Sequence, residues 1–295
     1  QEAAPACARS AMIALPNGDL CVADRLYSRL QVLSRDGEQK HTIGNYGRST
    51  GQVVSCKGMA CDGDSIYVSD YAKSRVQKLR LHDGALVASV GNYGTSKRAG
   101  STTPMLNCPH GLAFVQDRLY VADCFNHRVV VFSPALHFLF AFAHEGKARG
   151  ELRYPRGVAY LGGGELVVAS EGNHRLEVYD LEGAYVRSIG AGRGDGPGQL
   201  KGPSEVSVAH GRLYVSEKAG KRVQVFSPDG AALQVLPSPP ETELSGLCAD
   251  GQRLYAADSE DHKLHVLAAP AWDDPTRSLL QAHYAPDVRT PHVFA

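Results

Sequence analysis

Short apolar runs separated by turn residues repeat along the whole chain. An apolar run at 111–114 is followed by a turn and by a second run at 119–123, and a third run lies at 128–132. Elsewhere a fourth run, such as 185–189, comes after a Glu-Gly or Asp-Gly pair. Asp-Gly pairs favour tight hairpin turns, and the runs are rich in β-branched residues, which favour strands. The pattern predicts units of four short antiparallel strands.

One sequence motif recurs in each unit: an acidic residue ends an apolar run, and a basic residue follows five positions later. The acid–base pairs are Asp24–Arg29, Asp70–Arg75, Asp123–Arg128, Glu217–Arg222 and Asp258–Lys263, with Ser170–Arg175 as the one copy that lacks the acid. Successive copies lie 41 to 53 residues apart, which is typical of propeller repeats. One such unit cannot bury both of its faces, so several must stack and close a ring. The sequence therefore predicts an all-β fold, a six-bladed β-propeller of four-stranded antiparallel blades.

The repeat also sets the expected domain boundaries. We expect a single propeller domain over residues 7–284, preceded by an N-terminal extension at 1–6 and followed by a C-terminal tail at 285–295. The stretch 278–284 is the candidate for the outer strand of the last blade. We also expect the chain to belong to a larger protein or assembly.

Composition narrows the function classes. Lys+Arg and Asp+Glu are 31 each, so the net charge is zero and a uniformly basic nucleic-acid binder is excluded, although one charged face is not. No apolar run approaches the ~18 residues that a membrane helix needs, so we expect no membrane partner. The seven cysteines are odd in number and form no CxxC pair, and the chain holds no Asn-x-Ser/Thr sequon. These features, with no recognisable signal peptide, favour an intracellular location.

The repeated phrase resembles a known family. The segments that carry the likeness are Cys-Pro-His-Gly-Leu-Ala at 108–113, Leu-Tyr-Val-Ala-Asp at 119–123 and Asn-His-Arg at 126–128 and 173–175. They resemble NHL repeats over nearly the whole chain, which implies a β-propeller. The NHL domains of the tripartite-motif ligases are similar in length and repeat, and that family binds RNA or proteins through one face of the propeller. No RING, B-box or coiled-coil segment accompanies the repeats here.

The acid–base pairs recur in every copy, so we interpret them as framework, and function is expected where the copies differ. Alignment by the acid gives one residue per blade at the mouth of the central channel: Ala11, Lys57, His110, Arg156, Ser204 and Ser245. Three consecutive blades therefore place a basic or titratable side chain at the channel mouth. The structural requirements of the repeat do not explain this run of side chains.

The loops that enter the innermost strands strengthen this signal. The segments 44–57, 91–110, 143–156 and 190–204 hold ten basic residues and three acids. Their tyrosines could stack on a planar ligand or base. We call the rim of the propeller that carries these loops and the channel mouth its top face. The predicted ligand-binding residues on this basic top face are Lys57, His110, Arg156, Ser204, Tyr46, Tyr93, Tyr154, Arg48 and Arg153.

Two functions fit these residues. The first is a recognition or scaffold module whose top face binds an anionic partner, either an acidic protein segment or single-stranded RNA. The alternative is a lyase- or hydrolase-like propeller enzyme that acts on a carboxylate-bearing molecule at the central channel. In that case His110 would be the acid or base and Cys108, two residues away, could pair with it.

A second, weaker resemblance bears on the enzyme hypothesis. Cys108-Pro109-His110-Gly111 is similar to a zinc-histidine segment of the peptidyl-hydroxyglycine amidating lyases, which also carry NHL-like blades. That family places three histidines around the channel, whereas the corresponding positions here are Lys57, Arg156, Ser204 and Ser245. One histidine makes a poor zinc site, so we expect neither a metal nor another cofactor.

Overall fold

The computed structural model describes residues 9–24, 28–44, 51–53, 55–91, 105–237, 244–249, 253–258, 264–268 and 282–284. The predicted extension 1–6 and tail 285–295 lie outside the described residues. No helix in the described part of the chain is long and apolar enough to cross a membrane.

Consecutive strands pair into four-stranded antiparallel sheets. The first three sheets are β1 (Arg9–Ala14), β2 (Leu20–Asp24), β3 (Arg29–Leu33) and β4 (Gln39–Ile43); β5 (Cys56–Cys61), β6 (Ser65–Asp70), β7 (Arg75–Arg80) and β8 (Leu86–Val90); and β9 (Pro109–Val115), β10 (Arg118–Asp123), β11 (Arg128–Phe132) and β12 (Phe138–Phe142). Short 3₁₀ turns follow the second strand at Tyr71–Lys73, Cys124–Asn126 and, in the next sheet, Glu171–Asn173.

The remaining strands continue the same order. They are β13 (Pro155–Gly162), β14 (Glu165–Ser170), β15 (Arg175–Asp180) and β16 (Tyr185–Ile189); β17 (Pro203–Ala209), β18 (Arg212–Glu217), β19 (Arg222–Phe226) and β20 (Ala232–Pro237); and β21 (Leu244–Ala249), β22 (Arg253–Asp258), β23 (Leu264–Ala268) and β24 (Ala282–Tyr284). The β-propeller class and the four-stranded antiparallel blades are confirmed. The number six stays a prediction, because side chains are described on all four strands of five sheets, and β23 and β24 are described by backbone pairing alone.

The hydrophobic core lies between neighbouring sheets. Val32 on β3 packs in one cluster with Met59 and Leu79 of the next sheet, and similar clusters join each later pair of sheets. A further cluster joins Leu20 of the first sheet to Tyr255 of β22. Burial of each large apolar side chain stabilises the fold by about 1.5–3 kcal/mol, so stacking of blades rather than pairing within one blade holds the ring.

Glycine is required where the innermost strands approach one another. A Cβ added at Gly58 would lie 2.2 Å from the carbonyl oxygen of His110, and one at Gly111 would lie 2.4 Å from that of Arg156. Both distances are far below van der Waals contact. The absence of a side chain therefore sets how closely β5, β9 and β13 pack around the axis.

The acid–base pairs hold the entry loop against the blade. Arg128 donates to Asp123 at 2.9 Å and to the carbonyl of Met105 at 2.8 Å, while the other Asp123 oxygen accepts the Asn107 N–H at 2.7 Å. Arg75, Asp70 and the carbonyl of Gln52 repeat this arrangement. The pairs thus have the framework role that the sequence indicated, and Lys263 lies outside the described residues.

The blade that lacks the acid replaces it from another position. Ser170 accepts the Arg153 N–H through Oγ at 3.0 Å, so the loop contact remains. Arg175 donates instead to Glu177, whose position is occupied by Gln31, Gln77 and Gln224 in three of the other blades. In this blade the carboxylate lies seven residues after the position that holds the acid in the other blades, and Arg175 still has a charged partner.

Candidate functional site

The start of each innermost strand lies beside the acid of its own blade. Cys56 pairs with Asp70, Pro109 with Asp123 and Pro203 with Glu217, and Pro155 pairs with Ser170, which stands where the other blades have the acid. The residue after each of these positions comes to the same rim of the channel, and these residues are Lys57, His110, Arg156 and Ser204. The register thus supports their predicted placement at one end of the ring.

Three predicted site residues, Tyr46, Arg48 and Tyr93, lie outside the described residues. Tyr154 and Arg153 are described, and both are half-buried at the entry to β13. Ser204 is buried at the start of β17, and its neighbour Glu205 is the residue that reaches His110.

His110 is the centre of a buried polar cluster. Its side chain is only 3% exposed, and its Nε2 lies 3.2 Å from Nη1 of Arg156. A guanidinium only donates hydrogen bonds, so Nε2 must accept and the imidazole proton must reside on Nδ1. Nδ1 in turn faces Oε1 of Glu205 at 3.4 Å, and both of these buried atoms lack a hydrogen-bond partner in the described structure.

Glu205 was not predicted as a site residue. Its register position is occupied by Gly58, Gly111, Gly157 and Gly246 in four other sheets and by Ala11 in the first sheet. The prediction that Ala11 lies at the channel mouth beside Lys57 and His110 is therefore wrong by one residue, because five residues separate the paired Ala14 and Leu20 in the first hairpin, against four between Cys61 and Ile66 in the second sheet. A carboxylate at a position otherwise reserved for the smallest residues is the signal that could have identified it, had the copies been aligned one residue further. Gly157 on β13 carries no side chain, and a Cβ there would lie 2.9 Å from the carbonyl oxygen of Ser204, so β13 and β17 approach closely beside Glu205.

Burial dominates the electrostatics of this cluster. It raises the pKa of Glu205 to about 8, although the positive charges of Arg156 and Lys57 act in the opposite direction. Burial, with the same two cations, holds the pKa of His110 well below its usual value. At neutral pH both members of the pair are therefore predominantly uncharged, and both experience a positive potential from Lys57 and Arg156.

Arg156 is fixed from a second side. Its Nε donates to Glu171 at 2.6 Å. This acid lies in the 3₁₀ turn Glu171–Asn173, outside the loops whose charges predicted a basic face. Lys201 likewise donates to Asp195 at 2.6 Å, so the basic surplus of the rim is smaller than the loop sequences suggested.

Cys108 does not share the strand geometry of His110. It precedes β9 and has a φ of 55°, so the alternation of side chains along a strand does not extend to it. Its thiol interacts with Tyr71 and Ser74, and burial raises its pKa. A thiol with a raised pKa is a weaker nucleophile at neutral pH than an ordinary cysteine.

A strip of aromatic side chains crosses the same rim. The ring of Phe125 lies 6.4 Å from that of Tyr71 and 5.6 Å from that of Tyr154, and Tyr71 also meets the edge of His110 at 6.4 Å. Phe125 is 42% exposed, which is unusual for a phenylalanine. Tyr71 and Phe125 were missed in the sequence because they lie in the acid–base loops, which we had assigned to framework.

The central channel itself is a cavity of about 420 Å³. Its wall is formed by the innermost strands, each of which pairs with one neighbouring strand of its own sheet. Lys57 and Glu205 line one end, and Leu15, Cys61 and Val115 line the other parts of the wall.

Comparison with known proteins agrees with the repeat. The NHL repeat family matches residues 106–132 and 152–179. Among curated proteins, "Protein brain tumor" of Drosophila melanogaster is 33% identical over 129 residues, which are 42% of this chain and 12% of that protein. The "RING finger protein nhl-1" of Caenorhabditis elegans is 38% identical over 76 residues, 26% of this chain and 8% of that protein. The matches therefore span a small part of each relative.

Solved structures share the fold at low identity. A gluconolactonase from Xanthomonas campestris has a TM-score of 0.65 at 19% identity, with 90% of this chain and 87% of that chain covered. The virginiamycin B lyase from Staphylococcus aureus has a TM-score of 0.63 at 13% identity, with 89% and 80% covered. At such identities the likeness concerns the fold alone.

Proposed function

Because the chain belongs to the NHL-repeat β-propeller family, we propose that it is a recognition module whose top face binds an anionic partner. We use "top face" for the rim that carries the 3₁₀ turns, the entry loops and the channel mouth. The single observation that carries the proposal is the exposed ring of Phe125 in an aromatic strip beside Arg153 and Arg156.

Of the two partner kinds, single-stranded RNA fits this strip better than an acidic protein segment. Aromatic rings stack on bases at about 1–3 kcal/mol per base, and neighbouring cations interact with the phosphates. An acidic segment would use the cations and leave Phe125 without a role. The curated relatives support a recognition function in general and leave the kind of partner open.

The alternative, an enzyme centred on His110, has less support from the geometry. Arg156 occupies Nε2 of His110, and Nδ1 faces Glu205, so neither ring nitrogen points into open space. The raised pKa of Cys108 also argues against a thiol nucleophile.

We further propose that β21–β24 form a sixth blade that closes the ring within one domain at 7–284. Pairing of β24 with β23 supports a four-stranded last blade. The cluster that joins Tyr255 of β22 to Leu20 supports closure of this blade onto the first sheet.

The recognition proposal is tested with fluorescence anisotropy of a labelled deca-uridylate and of a labelled hexaglutamate peptide at two salt concentrations. Phe125→Ala is expected to weaken RNA binding at least fivefold, and rising salt is expected to weaken it further. The matched control is Leu139→Ala on β12, which removes an equally exposed apolar side chain away from the top face. Binding of the peptide alone would assign the face to acidic proteins, and binding of neither probe would refute the proposal.

A further inference from the structure

The residue before the arginine of each acid–base pair lies at the end of a turn on the top face. In the second, third and fourth sheets this residue is Ser74, His127 and His174. Each ends its 3₁₀ turn in the left-handed backbone conformation, with φ of 50°, 56° and 55°. This conformation is uncommon for residues other than glycine, and its recurrence gives the three side chains equivalent positions in their blades.

Each of these three side chains accepts a hydrogen bond from the backbone of the next blade. The N–H groups that donate lie in the entry loops: Cys108 donates to Oγ of Ser74 at 3.2 Å, Tyr154 to Nδ1 of His127 at 3.0 Å and Gly202 to Nδ1 of His174 at 3.1 Å. We call these three contacts the inter-blade straps. Through them the turn of one blade holds the entry loop of the next.

The two histidine straps require a neutral imidazole. A backbone N–H only donates, so Nδ1 of His127 and of His174 must accept, and the ring proton of each must lie on Nε2. Protonation adds a hydrogen to Nδ1 and places two donors face to face, which removes the hydrogen bond and adds repulsion. The hydroxyl of Ser74 does not titrate near neutral pH, so the strap of the second blade is an internal reference for the other two.

We propose that His127 and His174 form a pH-sensitive switch, which holds the entry loops of β13 and β17 at neutral pH and releases them when the two rings are protonated. The switch acts on the top face itself, because the loop held by His127 carries Arg153, Tyr154 and Arg156. The ring of His127 also meets the edge of the Tyr154 ring, with centroids 4.7 Å apart. Release of this strap therefore moves one end of the aromatic strip.

An acid lies on the other side of the His127 ring. Nε2 of His127 faces Oε1 of Glu145 at 3.7 Å, and the side chain of Glu145 is 48% exposed. A protonated ring thus has a charged partner on its solvent side, while its Nδ1 has lost the bond to Tyr154. Both effects favour movement of the charged ring away from the entry loop.

The charges around His174 instead oppose protonation. The charged groups that act on it are Arg193 of the loop between β16 and β17, Arg153 of the loop before β13 and Glu171 of its own turn. Burial, together with the two arginines, lowers the pKa of His174, and Glu171 acts in the opposite direction. The unfolded chain therefore takes up this proton more readily than the folded one. The stability that this strap contributes is complete above about pH 6.5 and is lost as pH falls below that value.

The experiment follows amide hydrogen exchange of the intact chain by NMR between about pH 7.5 and pH 5, with the rates corrected for the intrinsic pH dependence of exchange. Exchange at Tyr154 and Gly202 should become about fivefold faster relative to Cys108, since loss of one hydrogen bond changes an opening equilibrium by roughly twofold to tenfold. Nitrogen chemical shifts should show the proton of both rings on Nε2 at neutral pH. The acceleration at each amide should follow the titration of its own histidine.

Asparagine is the matched substitution for either histidine. In His127→Asn the side-chain oxygen takes the place of Nδ1, does not titrate and tolerates left-handed backbone. The Tyr154 amide should then exchange within about threefold of its parent rate at neutral pH and show no acceleration at acidic pH, while Gly202 keeps its response. His174→Asn should give the reverse result. His137→Asn, at an exposed turn position, should leave both responses unchanged.

Three results would overturn the proposal. The first is a proton on Nδ1 of either ring at neutral pH, and the second is the same pH response at Tyr154, Gly202 and Cys108. The third is an acceleration at Tyr154 that persists in folded His127→Asn. The first two are measured on the parent chain, so they apply even if a variant fails to fold. All three are measured without RNA, so a failure of RNA recognition would leave them unchanged.

Discussion

Removal of Arg128 should destabilise the propeller far more than removal of an exposed arginine. The Arg128 side chain is 1% exposed and that of Asp123 is 0% exposed, and they meet at 2.9 Å. Arg128→Met would leave a buried carboxylate without its cation and would also remove the bond to the carbonyl of Met105. Loss of one member of a buried ion pair costs about 3–5 kcal/mol, and we expect a loss of this size in the free energy of unfolding.

The matched control is Arg80→Met. Arg80 meets Asp83 at 2.8 Å, but the two side chains are 50% and 41% exposed, so the same substitution should cost less than about 1 kcal/mol. Urea denaturation followed by circular dichroism measures both losses. Asp123→Asn combined with Arg128→Met should recover part of the loss, because no buried charge then remains unpaired. Equal, small losses for Arg128→Met and Arg80→Met would refute the framework role of the buried pair.

Three further outcomes follow from the structure. Folded Glu205 has a pKa of about 8 against 4.5 for the free group, so its contribution to the free energy of unfolding falls by about 1.4 kcal/mol per pH unit as pH rises between these values. The melting temperature of Glu205→Gln should therefore rise relative to that of the parent over this pH range. A difference in melting temperature that stays constant with pH would contradict the assignment. Glu177→Gln should lower the free energy of unfolding by about 2–3 kcal/mol, measured by urea denaturation. Adding Ser170→Asp should restore part of this loss, since the added carboxylate and Arg175 would then have the acid–base arrangement of the other blades. No recovery would show that the two carboxylate positions are not interchangeable. Gly111→Ala should lower the free energy of unfolding by about 1–3 kcal/mol, because the added Cβ would lie 2.4 Å from a carbonyl oxygen. Gly196→Ala is the control and should be better tolerated, because its Cβ would meet only the end of a flexible side chain. Similar melting temperatures for the two variants would contradict the close approach of the strands.

The blades could be predicted from sequence because each is a local unit. Strand order, hairpin turns and the acid–base pair all lie within one repeat, so the periodicity that gives Asp123 and Arg128 their spacing also gives their contact. The same alignment placed Lys57, His110 and Arg156 at one rim.

The contacts between repeats could not be predicted in the same way. His110 and Glu205 belong to blades separated by a third blade, and a Cβ added at Gly157 of that blade would lie 3.0 Å from Cα of Glu205. The charge of the rim could not be read from the entry loops alone for a related reason, since Glu171, which pairs with Arg156, lies in a turn that the entry-loop sequences do not include. Phe125 was overlooked because one loop carries both a framework pair and a surface ring.

Hydrogen exchange in the presence of deca-uridylate is the most direct test of the top face as a recognition surface. Binding should slow amide exchange in the turns Tyr71–Lys73 and Cys124–Asn126 and in the loop at 153–156, where the aromatic strip lies. The outer strands β8 and β12 should exchange as in the free protein. Protection confined to those outer strands, or no protection anywhere at a saturating concentration, would contradict the account.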